Sequence, residues 1–216
     1  MFCGTTYNLT KEHVIPRWAF ENATQKFFTT NLNGLDQTYN KSTIPACSIC
    51  NNYYLGSLEK YISDLFSKTN LDLKYFTTDE LINIIRWLEL IDFKFQILNA
   101  RRVFKASKES GFIPYLAKLP LSVVRPKINY SPSKAIAEMR RSQKRVITKN
   151  KNEKLNSIIV FKSTNTNFHF LHTMDEFIFI ELTQYNIALF YFYKRTFTSI
   201  KRGHKEAMKI IDQTYN

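Results

Sequence analysis

The side chains best equipped for chemistry fall in two short stretches near the start of the chain. One is LTKEHVIP, Leu9 to Pro16, which contains Glu12-His13; the other is Cys47-Ser48-Ile49-Cys50-Asn51. Imidazole titrates near neutral pH, so His13 is a side chain that can exchange a proton under ordinary conditions. Two residues between Cys47 and Cys50 give the spacing of half a zinc site. Cys3 is the remaining thiol, and three cysteines are an odd set for a disulfide framework.

Charge points to the partner. The 216 residues carry a formal net charge of +13 with a pI near 9.6, which favours an acidic partner, nucleic acid first. Residues 1–60 hold five Lys/Arg against four Asp/Glu, and residues 61–216 hold 26 against 14, so the excess belongs to the second part. It is densest at Lys134 to Lys154, with eight basic and two acidic side chains. On a helix starting near Ser133, Arg140, Arg141, Lys144 and Arg145 cluster over two turns, and Lys149, Lys151 and Lys154 extend the charge into a loop. Phosphate contact is the expectation for this segment, a grip that positions a duplex without reading its sequence.

Hydrophobic residues at 44%, aromatics at 15% and only five glycines describe a folded globular chain. The longest apolar stretch, Phe177 to Tyr193, is interrupted by Glu181, Gln184 and Asn186, too polar for a membrane span. MFCGTTYNLTKEH has neither the basic nor the apolar region of a signal peptide, so a cytoplasmic, non-membrane protein is expected.

The elements that must position these residues are legible in the periodicity. A strand-like start is followed by a polar loop, about 21–40, with an Asn33-Gly34 turn. Apolar Leu55, Leu58, Ile62 and Leu65 then mark a helix. Thr77-Thr78-Asp79-Glu80 caps a stronger helix with Leu81, Ile84, Ile85, Leu88, Ile91, Phe95 and Leu98 on one stripe, running to about Phe104. Prolines at 114, 120 and 126 make 111–130 a connection, and Ser131-Pro132-Ser133 opens the basic helix. SIIVFKS, NFHFLHT, FIFIELT and IALFYFYK read as a meander of antiparallel strands, and a last helix covers about 200–211. Trp18 and Trp87 are expected in the core. His169 and His172, three apart on a strand, should face opposite sides rather than share a metal.

Cys3-Gly4, Leu9-Thr10-Lys11-Glu12-His13-Val14-Ile15-Pro16, Ile44-Pro45-Ala46-Cys47-Ser48-Ile49-Cys50-Asn51-Asn52, Leu55-Gly56 and Glu59 together resemble the HNH endonuclease family, over roughly residues 1–60. The resemblance implies an N-terminal ββα-metal finger; with the periodicity above, the expected fold class is α+β, the finger followed by helices and a C-terminal antiparallel sheet. The resemblance divides the chain into a nuclease module, 1–60, and a region for DNA grip or partner docking, 61–216. It implies His13 as general base, and Glu12 and Asn51 as ligands of a catalytic Mg²⁺ or Mn²⁺, for which a carboxylate and an amide oxygen are suitable hard donors. Asn51 also suits the N-cap of the following helix, and Glu59 is either an accessory ligand or base-bracing residue, or a solvated or salt-bridged side chain. Where the family has a hairpin-bracing Asn this chain has Ser42, with Asn40 two residues away as a substitute. The family's structural Zn²⁺ uses two C-x-x-C pairs. Here Cys3, Cys47 and Cys50 are at hand, and the partner of Cys3 would precede Met1; the start lies upstream, a fourth ligand is yet unidentified, or the site is lost. DNA is the expected substrate, with RNA open. Among the family's settings phage defence, with a second subunit sensing infection, is the leading expectation. The alternative is a catalytically decayed zinc-finger subunit that binds DNA or protein.

Overall fold

The structure is a computed structural model that describes Thr5 and residues 7–21, 27–29, 36–72, 75–103, 132–148 and 150–215. Cys3, Lys149, the Asn33-Gly34 turn and the 111–130 connection lie outside the described residues. The chain is α+β, with its larger antiparallel sheet in the C-terminal part.

At the front, β1 (Leu9–His13) pairs antiparallel with β4 (Thr43–Cys47), with Glu12 opposite Ile44 and His13 opposite Thr43. Between them come α1 (Arg17–Phe20) and a small ribbon of β2 (Phe27–Thr29) and β3 (Asp36–Thr38). A wide π-type turn at Cys50–Leu55 then feeds α2 (Gly56–Lys68). Gly56 is required there: its N–H bonds the Asn51 carbonyl, and a Cβ would lie 2.9 Å from that oxygen.

The long helix α3 (Thr78–Val103) begins with the reciprocal cap its sequence predicts. Thr77 N–H donates to Glu80 Oε2 at 2.6 Å, and Glu80 N–H donates to Thr77 Oγ1 at 3.3 Å. From Ile84 onward it is enclosed on nearly all sides. A helix so enclosed is ordinarily hydrophobic all round; this one carries Glu89, Asp92 and Lys94 in the interior, and each is paired.

After α4 (Pro132–Ile147), β5 (Ile158–Lys162), β6 (Phe170–Thr173), β7 (Phe177–Leu182) and β8 (Ile187–Phe192) form one antiparallel sheet in the order β5-β8-β7-β6. The expected meander therefore holds for β6, β7 and β8, while β5 crosses to the far side of β8, as in a Greek key. β8 pairs with β5 on one edge and β7 on the other, and every residue of its IALFYF run is buried, as in a central strand with both faces covered. Alternation then splits the sheet's side chains. Ile178, Ile180, Leu189 and Tyr191 join the core that holds α3, whereas Ile159, Phe179, Phe190 and Phe192 pack on α5 (Ile200–Tyr215).

The front elements share that first core. Val14, Ile15, Phe20, Ile44 and Leu55 belong to one hydrophobic cluster with Trp87, Ile91, Ile180 and Leu189. Trp18 stacks on Trp87 with ring centroids 5.4 Å apart, as core residues do. The boundary expected at residue 60 falls inside α2.

Gly203 lets α5 approach the turn before β5 closely, since a Cβ there would lie 2.5 Å from the Asn156 carbonyl oxygen and 3.0 Å from Ile159 Cδ1. Gly203→Ala is expected to cost about 1–3 kcal/mol, as overpacking does. A urea-unfolding midpoint equal to wild type would contradict that close approach.

Candidate functional site

The site is built where β1 ends. Val14 N–H donates to the Ser42 carbonyl at 2.9 Å, fixing the strand end against the opposite turn. Ser42 is buried; its hydroxyl donates to the Thr38 carbonyl at 3.0 Å and its N–H to the Tyr39 carbonyl at 3.1 Å. That tight turn, Tyr39–Lys41, brings the Asn40 backbone carbonyl to the His13 ring, where it accepts a hydrogen bond. Ser42 thus braces the hairpin through its carbonyl, its N–H and its hydroxyl.

His13 is half-buried at the strand end. Burial lowers its pKa from the ordinary 6.5, and the positive charges of Arg17 and Lys94 push the same way, against Glu59 and the Asn40 carbonyl. The ring is therefore held neutral, with one nitrogen donating to Asn40 and the other keeping its lone pair. Beside it a shallow cleft of about 250 Å³ is lined by Arg17, Phe20, Glu21 and Asn40. Arg17 is exposed, 3.9 Å from Glu21. A neutral imidazole next to a surface guanidinium suits attack on an anionic substrate.

Glu12, on the opposite face of β1, is buried and bonded to the ammonium of Lys94 from α3. Lys94 also reaches Glu59 Oε1 on α2 at 2.6 Å and the His13 carbonyl oxygen at 3.1 Å. Asn51 turns elsewhere: its Nδ2 donates to Thr10 Oγ1 at 2.9 Å. The expected Glu12–Asn51 metal pair is thus replaced by a Glu12–Lys94–Glu59 triad, because a carboxylate buried in this core takes the counter-charge α3 offers. Among the described residues no three His, Cys, Asp or Glu side chains converge as metal ligands do. The donors present do not fit a divalent ion held by Glu12 and Asn51.

The cysteine knuckle fits metal better. Cys47 and Cys50 are both buried, and the Cys50 N–H donates to Cys47 Sγ at 3.3 Å. Two buried sulfurs with a backbone donor on one are suited to half of a structural zinc site, and Cys3 lies outside the described residues.

The basic segment divides. Arg140, Arg141 and Lys144 are exposed on α4, but Arg145 is turned inward, a correction to its expected place on the phosphate-facing set. It bonds Asp92 Oδ2 at 2.6 Å and Asp175 Oδ1 at 2.5 Å. Lys151 is buried against Glu89 at 2.5 Å, and Lys154 is half-buried. The physical reason is shared: acids buried on α3 and at the β6–β7 turn draw cations out of the run. A second basic face lies on the last helix, around His204. Lys201, Arg202, Lys205 and Lys209 are exposed along α5, and their i, i+4, i+8 spacing beside Gly203 and Ala207 was the available signal.

His169 and His172 part as expected. His169 Nδ1 lies 2.5 Å from Glu181 Oε2, and His172 Nε2 lies 3.0 Å from Asp92 Oδ1. Lys94 and Asp92 went unnoticed, although both interrupt the α3 stripe: Lys94 stands three after Ile91 and four before Leu98, and Asp92 stands four after Leu88. A charge on the apolar stripe of a core helix signals a buried partner.

No protein-family model, curated protein or solved structure matches the chain.

Proposed function

We propose that the chain hydrolyses phosphodiester bonds in DNA as an HNH-type endonuclease, with His13 as general base and the α3–α5 region as grip or docking surface. The reading is carried by His13: a half-buried imidazole kept neutral by burial and by Arg17, its ring 6.4 Å from that of Phe20, which lines a cleft together with Arg17 and Asn40. In the reaction, the free ring nitrogen takes a proton as a water oxygen bonds to phosphorus. The P–O3′ bond breaks, and the departing oxygen is protonated from solvent. Arg17 pairs with a non-bridging phosphate oxygen and stabilises the charge that grows there.

Supercoiled plasmid, incubated with the protein in Mg²⁺, in Mn²⁺ and in chelator, tests this. Conversion to nicked circles in any of the three, lost with His13→Ala, is the expected result. No conversion in any of them would sink the hydrolytic reading, and degradation of single-stranded RNA alone would move the substrate from DNA to RNA.

The rival reading is a zinc-finger subunit that binds DNA or protein without cutting. The engagement of Glu12 by Lys94 and of Asn51 by Thr10 favours it, since both side chains have structural work. Plasmid binding with no cleavage would select it.

Nucleic-acid grip has its own test. Reversing Arg140, Arg141 and Lys144 to glutamate is expected to weaken duplex binding and flatten its dependence on salt, by about one unit of log–log slope per phosphate contact removed. Affinity that is unchanged at every salt concentration would exclude this face of α4 and point to the one on α5.

A further inference from the structure

Two carboxylates meet beneath the β1–β4 ribbon, where water does little to screen them. Glu12 comes from β1 and Glu59 from α2, and both lie mostly out of solvent. Burial lifts the Glu59 carboxyl above its ordinary value despite the ammonium beside it. A pair of this kind requires a cation.

Lys94 supplies it completely. An ammonium has three N–H donors, and this one has three acceptors: Glu12 Oε1, Glu59 Oε1 at 2.6 Å and the His13 carbonyl at 3.1 Å. Its side chain is 0% exposed. The two carboxylates outweigh the cost of burial and hold the lysine above its ordinary pKa. Each carboxylate presents one oxygen to the same nitrogen.

We propose that Lys94 is the resident cation of this site, standing between Glu12 and Glu59 where a divalent ion would otherwise sit, so that the pair takes up no Mg²⁺ or Mn²⁺ while the ammonium is present. The same ammonium holds the carbonyl of His13 and so ties the residue carrying the imidazole to α3. The charge assignment stands without the nuclease reading; only the value of tying His13 rests on it. Catalysis at His13 would then proceed without a metal ion on Glu12, with Arg17 as the cation facing substrate.

Mn²⁺ itself is the probe, its uptake by the full chain followed through loss of the free-ion paramagnetic resonance signal. Wild type and Glu12→Gln are expected to give the same isotherm. Lys94→Met keeps the aliphatic stem but removes the charge. It should gain Mn²⁺ affinity by about tenfold or more, because ligand charge sets the affinity of an oxygen site, and should melt higher with Mn²⁺ than without it. Saturable uptake by wild type that Glu12→Gln abolishes would overturn the proposal, as would a folded Lys94→Met that takes up no Mn²⁺. If Lys94→Met does not fold with or without Mn²⁺, the comparison of wild type with Glu12→Gln decides alone. That pair keeps the glutamates under test without disturbing the helix.

The outcomes separate from those of the plasmid assay. Cleavage together with Glu12-dependent Mn²⁺ uptake keeps the nuclease reading and removes the resident cation. Neither cleavage nor uptake removes the nuclease reading and keeps Lys94 in its place.

Discussion

His13→Ala is expected to lower the rate of DNA cleavage by about 10²–10⁴-fold, the usual contribution of a positioned general base, while leaving unfolding by urea close to that of wild type. The loss follows from the arrangement at the end of β1. The Asn40 carbonyl takes one ring N–H, burial and the Arg17 charge keep the ring neutral, and the remaining nitrogen is free to accept a proton. Alanine removes the acceptor and leaves the carbonyl at an exposed turn residue, where water replaces the lost bond at little cost. His13→Gln separates roles, because it retains an amide donor for Asn40 but offers no group that titrates in this range. Cleavage by His13→Gln at the wild-type rate would place the base elsewhere.

Asp92→Ala is expected to cost about 3–5 kcal/mol of stability, the price of leaving buried partners uncompensated. Asp92 is 0% exposed and holds Arg145 at 2.6 Å, His172 at 3.0 Å and the Asp175 N–H at 2.9 Å. Removing its carboxylate leaves a mostly buried guanidinium with Asp175 as its one remaining carboxylate partner, lifts a tether from α4 and loosens the β6–β7 turn. With a urea m-value of roughly 1–3 kcal/mol/M, the midpoint should fall by more than about 1 M. A midpoint within experimental scatter of wild type would mean that Arg145 finds solvent at once, and the buried network would lose its claim to hold the helices together.

The same residue gives a pH dependence. Burial alone would raise the Asp92 carboxyl, but His172, Arg145 and the Asp175 N–H outweigh it and hold it below its ordinary value of 3.8. A folded-state value below the unfolded one means stability that is fully present above pH 3.8 and is lost as pH falls through the lower, folded value. Wild-type unfolding midpoints should therefore decline steeply below pH 4. Asp92→Asn, weaker throughout, should decline less over that interval; parallel declines would remove Asp92 from the acid response.

Much of this architecture was open to inspection in the sequence, because it rests on local rules. Thr77 and Glu80 are spaced to cap each other, the α3 stripe repeats at helical period, and β7 and β8 are short apolar runs set off by turn residues. The ordering of β5 beside β8 was not available locally, since strand pairing between distant segments leaves no mark in either one. Candidate site residues followed the same division. His13 stands out by its neighbours in LTKEHVIP, and the cysteine knuckle by its spacing. The partners of Glu12 and Arg145 lie on helices 82 and 53 residues away, beyond the reach of the motif that makes Glu12 a metal ligand and of the local charge that makes Arg145 a phosphate contact.

The sequence by itself determined the kind of elements, their order, the strand that carries His13 and the surplus of positive charge. Periodicity, capping and composition act over a few residues and are written where they act. Only the tertiary structure decided which charges are spent inside the protein. Burying α3 on nearly every side brought Lys94 to Glu12 and Glu59, and Arg145 to Asp92. A charge drawn into a core must be neutralised by whatever the fold places beside it, and that neighbour is set by packing.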